Sequence, residues 1–501
     1  MNPKINCLAA LLLLPLTALY AAEAPKTPRP VQVIELRPDD VTTMVSKRGE
    51  LAGGVVTIDV AVANFTSPKS TVTWLVKAPK EDDYAVGVIF SNPTSEKLEV
   101  CCGDSVLTAP SLPRTWKSRP FFWRQELPGL LHLKAGMNRV TFRAPYATAP
   151  VPTEQKDCYN LTKVFTLWSI ELGTPAARQA QLKRAKEIRG DASWMIQGKY
   201  GLFVHWSPLI YAVDGTAPMA QWHQKAVEMF DVKVFADAVE RTGASWMLFT
   251  LTHGEFYWPG PSAAVDKILP GRTTKRDLIG EIIEELDRRG IRTLFYLHNC
   301  VNGREDPRWA KAVGALDADT KQFGDNIEAI LRESSLRYGK KLNGYGYIDC
   351  SFYNDYPLDP PWERWARAIK AGNPAAVVGF SAQRGPTVSP FSELAVTDGH
   401  TKLGAPDRTV IGPGQQFGDV TPAWWFAMDG WRVRGKMTKE IGNGPTASTA
   451  EYVEYFRRMA AERIPVTINL AITADVTNQH PIFNEKCMAA MEQVRKAIRG
   501  K

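Results

Sequence analysis

The chain has no extended run of basic residues. Its formal charge of +8 is the small difference between 61 Lys and Arg and 53 Asp and Glu. The sequence therefore predicts no nucleic-acid partner, which would call for a clustered basic face. No glycine-rich phosphate loop follows a strand-like segment, so nothing supports a nucleotide-binding, doubly wound sheet. Cysteine is scarce, seven in 501 residues, and the spacings do not build a zinc site. Histidine is equally scarce at seven, and no His-x-His pair opens a strand end as barrel metal sites require. Beyond the N-terminal segment no stretch is apolar enough to cross a bilayer.

That N-terminal segment reads as a secretory signal over residues 1–22. Lys4 supplies the positive start, Leu8 to Ala18 the apolar stretch, and Tyr20-Ala21-Ala22 or Ala22-Glu23-Ala24 the small-residue cleavage site. The expectation is a secreted or periplasmic protein with no stable membrane insertion after cleavage; a retained anchor is the alternative. Cys7 leaves with the signal, and Cys101, Cys102, Cys158, Cys300, Cys350 and Cys487 remain. An oxidising compartment permits disulfides. Cys300 and Cys350 follow neighbouring strand ends and are a candidate pair, with free buried thiols as the alternative.

Hydrophobic residues make up 44% of the chain, with 15 Trp and 20 Phe, enough for sizeable cores in two domains. Aromatic rings in such number also suit a carbohydrate, whose apolar ring faces stack on them. Residues 24–150 carry short runs rich in Val, Ile, Thr and aromatics: Thr71 to Val76, Tyr84 to Phe90, Lys97 to Cys101 and Asn138 to Arg143. Turn clusters separate them and no amphipathic helix intervenes, which predicts an antiparallel β-sandwich. Its texture resembles galactose-binding-like carbohydrate-binding modules. Residues 151–197 read as linker and helix, the helix at Ala176 to Arg189. From 198 to 501 strands and helices alternate. Strands start at residues 201, 246, 293 and 345, with later candidates at Ala376 to Phe380, Leu394 to Thr397 and Val466 to Leu470. Helical patterns fall at Val232 to Thr242, Arg276 to Arg289, Asp325 to Leu336 and Asn484 to Ile498. Pro422 to Lys436 fits neither pattern cleanly. The alternation predicts an α/β fold, a (β/α)8 TIM-like barrel preceded by the smaller β-sandwich, with a doubly wound sheet as the alternative.

Four of these strands end on chemistry-bearing residues: Gly201-Leu202-Phe203-Val204-His205, Trp246 through His253, Thr293 through His298, and Tyr345 through Asp349. Parallel strands carry their sites at their C-terminal ends. A carboxylate such as Asp349, framed by aromatics, can attack an anomeric carbon or orient a base. His205 with Trp206, His253 with Glu255, and His298 are candidate sugar contacts. The three histidines with Asp349 also leave open a zinc-dependent barrel hydrolase.

Lys199-Tyr200-Gly201-Leu202-Phe203-Val204-His205-Trp206-Ser207 resembles the first-strand signature of the α-L-fucosidases of glycoside hydrolase family 29. Gln221-Trp222 falls where that family has Glu-Trp-Tyr. Arg276-Asp277-Leu278-Ile279-Gly280-Glu281 and Arg289-Gly290-Ile291-Arg292-Thr293 are similar to its third helix and strand. Tyr347-Ile348-Asp349 falls at its Trp-Phe-Asp-Gly, and Thr467-Ile468-Asn469-Leu470 at its last strand. The resemblance implies a retaining exo-glycosidase acting on α-L-fucosides, with a glycan or glycoside substrate and no metal or other cofactor. It makes Asp349 the nucleophile and His205, Trp222 and His253 sugar contacts. The chain departs from the pattern at Ser207, at Thr252-His253-Gly254-Glu255-Phe256 for His-His-Asp-Gly-Phe, and at Trp425, which stands at the acid position and cannot donate that proton. Asp398 has the best local context for the missing acid; Glu393, Glu255, Asp419 and Asp429 are the other candidates. The expected catalytic pair is thus Asp349 with Asp398, and the expected substrate contacts are His205, Trp206, Trp222, His253, Glu255 and His298. The missing acid motif keeps a second class open, a non-catalytic glycan-binding protein on a decayed barrel.

Overall fold

The computed structural model describes residues 33–500 apart from 37–42, 47–48, 59–60, 92–96, 110–122, 145–150, 152–163, 207–217, 301–305, 318–320, 350–359, 382–388, 399–402, 404–420, 430–443 and 474–481. The proposed signal segment, Cys158, Cys350 and Asp419 lie outside the described residues. Among the described residues no helix is long and apolar enough to cross a membrane.

The N-terminal unit is two facing sheets. One has the order Val33–Glu35, Thr71–Ala78, Gly136–Arg143, Leu98–Cys102, Ser105–Ala109; the other has Trp123–Glu126, Asp82–Ser91, Thr166–Gly173, Ala61–Ala63, Val56–Ile58. Alternation drives their packing: Val72, Trp74 and Val76 of one strand face Val86, Val88 and Phe90 of another around Phe65, Phe142 and Phe165. Thr166–Gly173 comes from the stretch read as linker. It is buried along its whole length and pairs antiparallel with Asp82–Ser91, so the sandwich continues past residue 150. Both faces are covered, and its buried residues include Thr166, Ser169 and Glu171, the last accepting from Arg124 Nε at 2.7 Å. Ile58, Ala61, Ala63, Ile89 and Trp168 of this sheet join Ala185 of the helix Pro175–Ile188 in an apolar cluster that runs on into the C-terminal unit.

The C-terminal unit is built on eight strands, labelled here in chain order: β1 Tyr200–Val204, β2 Trp246–Thr252, β3 Arg292–His298, β4 Gly344–Asp349, β5 Val377–Ser381, β6 Leu394–Asp398, β7 Thr421–Ala427 and β8 Val466–Asn469. They form a single sheet in the order β5-β4-β3-β2-β1-β8-β7-β6, and every pairing in it is parallel. The chain links the two outer strands: the Glu393 N–H donates to the Val378 carbonyl at 2.9 Å. β7, whose sequence fitted neither pattern, is a strand despite Pro422 because Trp425 and Phe426 bury opposite faces. Helices cover the sheet between strands, among them Met219–Met229, Val232–Thr242, Leu278–Arg288, Lys321–Tyr338 and Glu485–Arg499. Aliphatic stripes explain them; Leu278, Ile279, Ile282, Ile283 and Leu286 all bury on one helix behind an Asp277 N-cap.

The opposite face of the sheet is filled by side chains. Phe203, Trp246, Leu248, Leu294, Tyr296, Tyr347, Val377, Leu394 and Trp425 form one cluster. At its N-terminal end the Trp246 indole lies over Gly201, where an added Cβ would sit 2.3 Å from the indole nitrogen. That nitrogen donates to Thr467 Oγ1 at 3.0 Å, so glycine at 201 is what lets the ring cross the floor.

Candidate active site

The C-terminal strand ends converge four of the expected residues. Asp349 ends β4 and is 4% exposed. One of its oxygens accepts from the Tyr296 hydroxyl of β3 at 2.8 Å. Burial and the charge of Asp349 raise the Tyr296 phenol well above its ordinary range, so it stays a donor. His205 follows β1 and is buried; its Nδ1 lies 2.7 Å from the Asn469 amide oxygen at the end of β8. That oxygen only accepts, so Nδ1 carries the proton and Nε2 is left as an acceptor. Burial pushes His205 down to about 4, against the Asn469 bond and with some help from His298.

His253 and His298 stack with ring centroids 4.7 Å apart and 20° between planes. His253 is also 5.6 Å from His205 and 5.9 Å from Tyr296. Desolvation first, then the two neighbouring imidazoles, hold His253 well below its ordinary value. His298 Nδ1 accepts the Cys300 N–H at 3.1 Å, a turn that takes Cys300 to φ 54°. Cys300 is buried and its thiol donates to the His298 carbonyl at 3.3 Å; Cys101, Cys102 and Cys487 are free as well. Two of the three histidines thus spend Nδ1 on protein partners. Among the described residues no group of three or more His, Cys, Asp or Glu could hold a metal ion.

Trp425 walls this site, 5.4 Å from Phe203 and 5.9 Å from His205. Trp206, expected as a ring-face contact, is instead fully buried beside Phe230 and Phe249. It is the residue after His205, so it points to the opposite side of its strand and serves the core. Trp222 lies half-buried on the helix Met219–Met229, with Lys225 Nζ 5.7 Å from its ring. The neighbouring His223 is buried near Trp206 and Tyr257 and pushed down to about 4 by burial.

Of the candidate acids, Glu393 precedes β6 and so lies at the other end of the sheet. It accepts from the Gly190 and Val378 N–H groups at 2.7 Å each and pairs with Lys370 Nζ at 2.7 Å, which corrects its reading as a proton donor. Asp398 ends β6 in register with Trp425; its side chain is outside the described part. Asp429 follows β7, accepts from the Ala471 N–H at 3.0 Å and is raised to about 6 by burial. Glu255 is half-buried on the turn after β2, bridged to His253. Tyr296 and Asn469 carry direct contacts to expected site residues that sequence reasoning missed. The regular spacing of β3 does point Tyr296 to the same side as His298, and that was the available signal.

No family model and no curated protein matches the chain. Among solved structures it is similar to bacterial α-L-fucosidases. One is a glycoside hydrolase family 29 enzyme from Bacteroides thetaiotaomicron, trapped as a covalent intermediate with 2-fluoro-fucosyl fluoride. It is 16% identical, with a TM-score of 0.42 over 62% of this chain and 75% of that one. The Lactobacillus casei enzyme in complex with α-L-fucose is 12% identical, with a TM-score of 0.42 over 62% and 99%. Isoenzyme 1 from Paenibacillus thiaminolyticus is 13% identical, with a TM-score of 0.44 over 63% and 76%. Identity at this level leaves the site to be argued from its own geometry.

Proposed function

We propose that the chain is a secreted or periplasmic glycoside hydrolase that cleaves α-L-fucosides with retention, its eight parallel strands closing as a (β/α)8 barrel behind a carbohydrate-binding-module-like sandwich. The observation that carries the reading is the Asp349 carboxylate: it ends a central parallel strand, is almost fully buried, and has one oxygen fixed by Tyr296. The choice of a fucoside rests on the motif resemblance from Lys199 to Ser207 and at Tyr347-Ile348-Asp349.

Asp349 attacks C1 of the sugar and forms a glycosyl ester while a second carboxyl group protonates the leaving oxygen; that group then draws a proton from the water that hydrolyses the ester. Tyr296 holds the attacking carboxylate in one orientation. His205 presents an acceptor to a sugar hydroxyl, and Trp425 offers a flat apolar wall. Burial keeps His205 and His253 neutral, so neither places a cation beside the nucleophile. A glycan-binding protein without turnover is the second reading, favoured by Trp425 standing where the family keeps its acid.

Release of nitrophenol from an aryl α-L-fucoside tests the reading. Asp349→Gly is expected to lower turnover at least about a thousandfold, of the order of the larger losses on removing a catalytic group. Azide should restore turnover as a fucosyl azide of inverted configuration. Parent protein inert across a panel of aryl glycosides would favour the binding protein, and full activity of the variant would remove Asp349 from the mechanism.

A further inference from the structure

We propose that Arg272 and Asp306 are positioning residues that together hold the stacked His253 and His298 rings in place. The role rests on the sugar site proposed above. The two imidazoles stand at the ends of neighbouring strands, and a turn follows each at once. After His253, Gly254 takes φ 78°, a conformation that favours glycine, and a bridge between His253 and Glu255 folds the chain back. After His298, the Cys300 N–H closes onto the imidazole. On the strand side the two are tied by Thr252, whose hydroxyl donates to the His298 carbonyl at 2.6 Å.

The loop side is fixed by one buried ion pair. Arg272 and Asp306 meet through two contacts, of 2.6 and 3.0 Å. Between them they grip Phe256, a short way past His253, by both of its backbone polar groups. Its N–H donates to Asp306 Oδ2 at 3.0 Å, and its carbonyl accepts from Arg272 at 2.9 Å. The other Asp306 oxygen caps the helix Pro307–Ala312 by accepting the Trp309 N–H at 3.0 Å. The Trp309 indole in turn donates at 2.9 Å to the carbonyl of Asn299, the residue after His298. Its ring stacks on Phe256 with centroids 3.7 Å apart. The Arg272 carbonyl accepts the Trp258 N–H at 2.7 Å, and its guanidinium lies 4.4 Å from the Tyr257 ring centroid. The turns after β2 and β3 are thus clamped to a common point.

A buried ion pair is a poor way to gain stability, since apolar groups of similar volume often do as well or better. What Arg and Asp add is direction, a planar fork meeting a carboxylate at fixed angles. Here that fork is also addressed to the backbone of the turn. The pair is neutral as a unit, so it steadies the turn without bringing a net charge toward His253, which burial keeps neutral. Both residues act through the turns they hold, not by touching the sugar. The Lys370–Glu393 pair, buried at the far end of the sheet, is the matched control.

Asp306→Asn, alone and combined with Arg272→Met, tests this. The double variant removes both charges and keeps a side-chain oxygen for the Trp309 cap. It therefore serves if the single variant, with Arg272 left unpaired, does not fold. In protein labelled at its seven histidines, the ring-to-ring nuclear Overhauser contact between His253 and His298, whose centroids are 4.7 Å apart, should be lost in these variants and kept in Lys370→Met. L-Fucose affinity should fall about tenfold. On an aryl α-L-fucoside kcat/KM should fall about a hundredfold, the scale of a misplaced contact. Lys370→Met, which also breaks a buried pair, should leave both at parent values. Parent-like ring contact and L-fucose affinity in the folded double variant would overturn the proposal. The same losses in Lys370→Met would overturn it too, since any loosening of the fold would then suffice. A parent protein that neither binds L-fucose nor cleaves a fucoside would instead sink the hydrolase reading, while the ring contact would still report on positioning.

Discussion

Glu393 and Asp349 are equally buried acids, 3% and 4% exposed, at opposite ends of one parallel sheet, and their surroundings differ in kind. Glu393 is gripped by two backbone N–H groups and the Lys370 ammonium, and it ties residue 190 and β5 to the segment entering β6. Asp349 sits instead among a phenol and imidazoles that burial keeps neutral. The first arrangement spends the carboxylate on holding the fold. The second fixes one carboxylate oxygen with a neutral hydroxyl at the C-terminal end of a strand, which suits a group meant to form a bond with something else. The contrast matches the division of labour of parallel α/β folds, stability at one end and chemistry at the other.

The largest expected effect breaks the fold-holding end. Glu393→Gln or Lys370→Met leaves a buried partner unpaired and should cost about 3–5 kcal/mol. Urea melts should report that loss, while kcat per folded molecule stays close to parent. A Glu393→Gln protein of parent stability would erase the contrast. A second effect comes from the buried imidazoles. His205 and His223 are each lowered from 6.5 to about 4. The unfolded chain therefore binds protons below pH 6.5 that the folded chain refuses until about 4, and stability present above 6.5 is lost as pH falls through that window. Each contributes up to about 3 kcal/mol. Asp429, raised to about 6, acts with the opposite sign, its share being lost as pH rises through about 6. Melting temperature followed from pH 7 to 4 checks the sum; a flat curve would show that the imidazoles are not buried in neutral form. The smallest effect sharpens the chemical end. Tyr296→Phe removes a hydrogen bond to a charged group, worth about 1.5–3 kcal/mol. It should lower kcat/KM about ten- to a hundredfold with a much smaller change in KM. Unaltered kinetics would make Tyr296 a packing residue.

The strands that carry the site were legible because parallel strands buried on both faces read as unbroken apolar runs, and β1 to β4 each do. Their polar endings located His205, His253, His298 and Asp349. What escaped was of three kinds. Tyr296 looks like one more aromatic in an apolar run, since its single useful atom is the hydroxyl. Asn469 lies 264 residues from His205, and no local pattern joins them. Trp206 and Glu393 were misread for want of direction: one residue past His205 reverses the face, and a carboxylate before a strand lies at the opposite end from one after it. Thr166–Gly173 is hard to read as a strand because the register shift between Leu167 and Ser169 breaks its alternation in the middle.

The Trp246 ring laid across Gly201 and bonded to Thr467 stoppers the proposed barrel at its base. A vessel stoppered below has one doorway and no through-traffic. On the hydrolase reading proposed above, a released sugar would leave by the opening where its successor waits, and turnover at high substrate would be paced by exchange at that doorway. Viscosity and a bulky aglycone would then slow the enzyme even where bond breaking is fast.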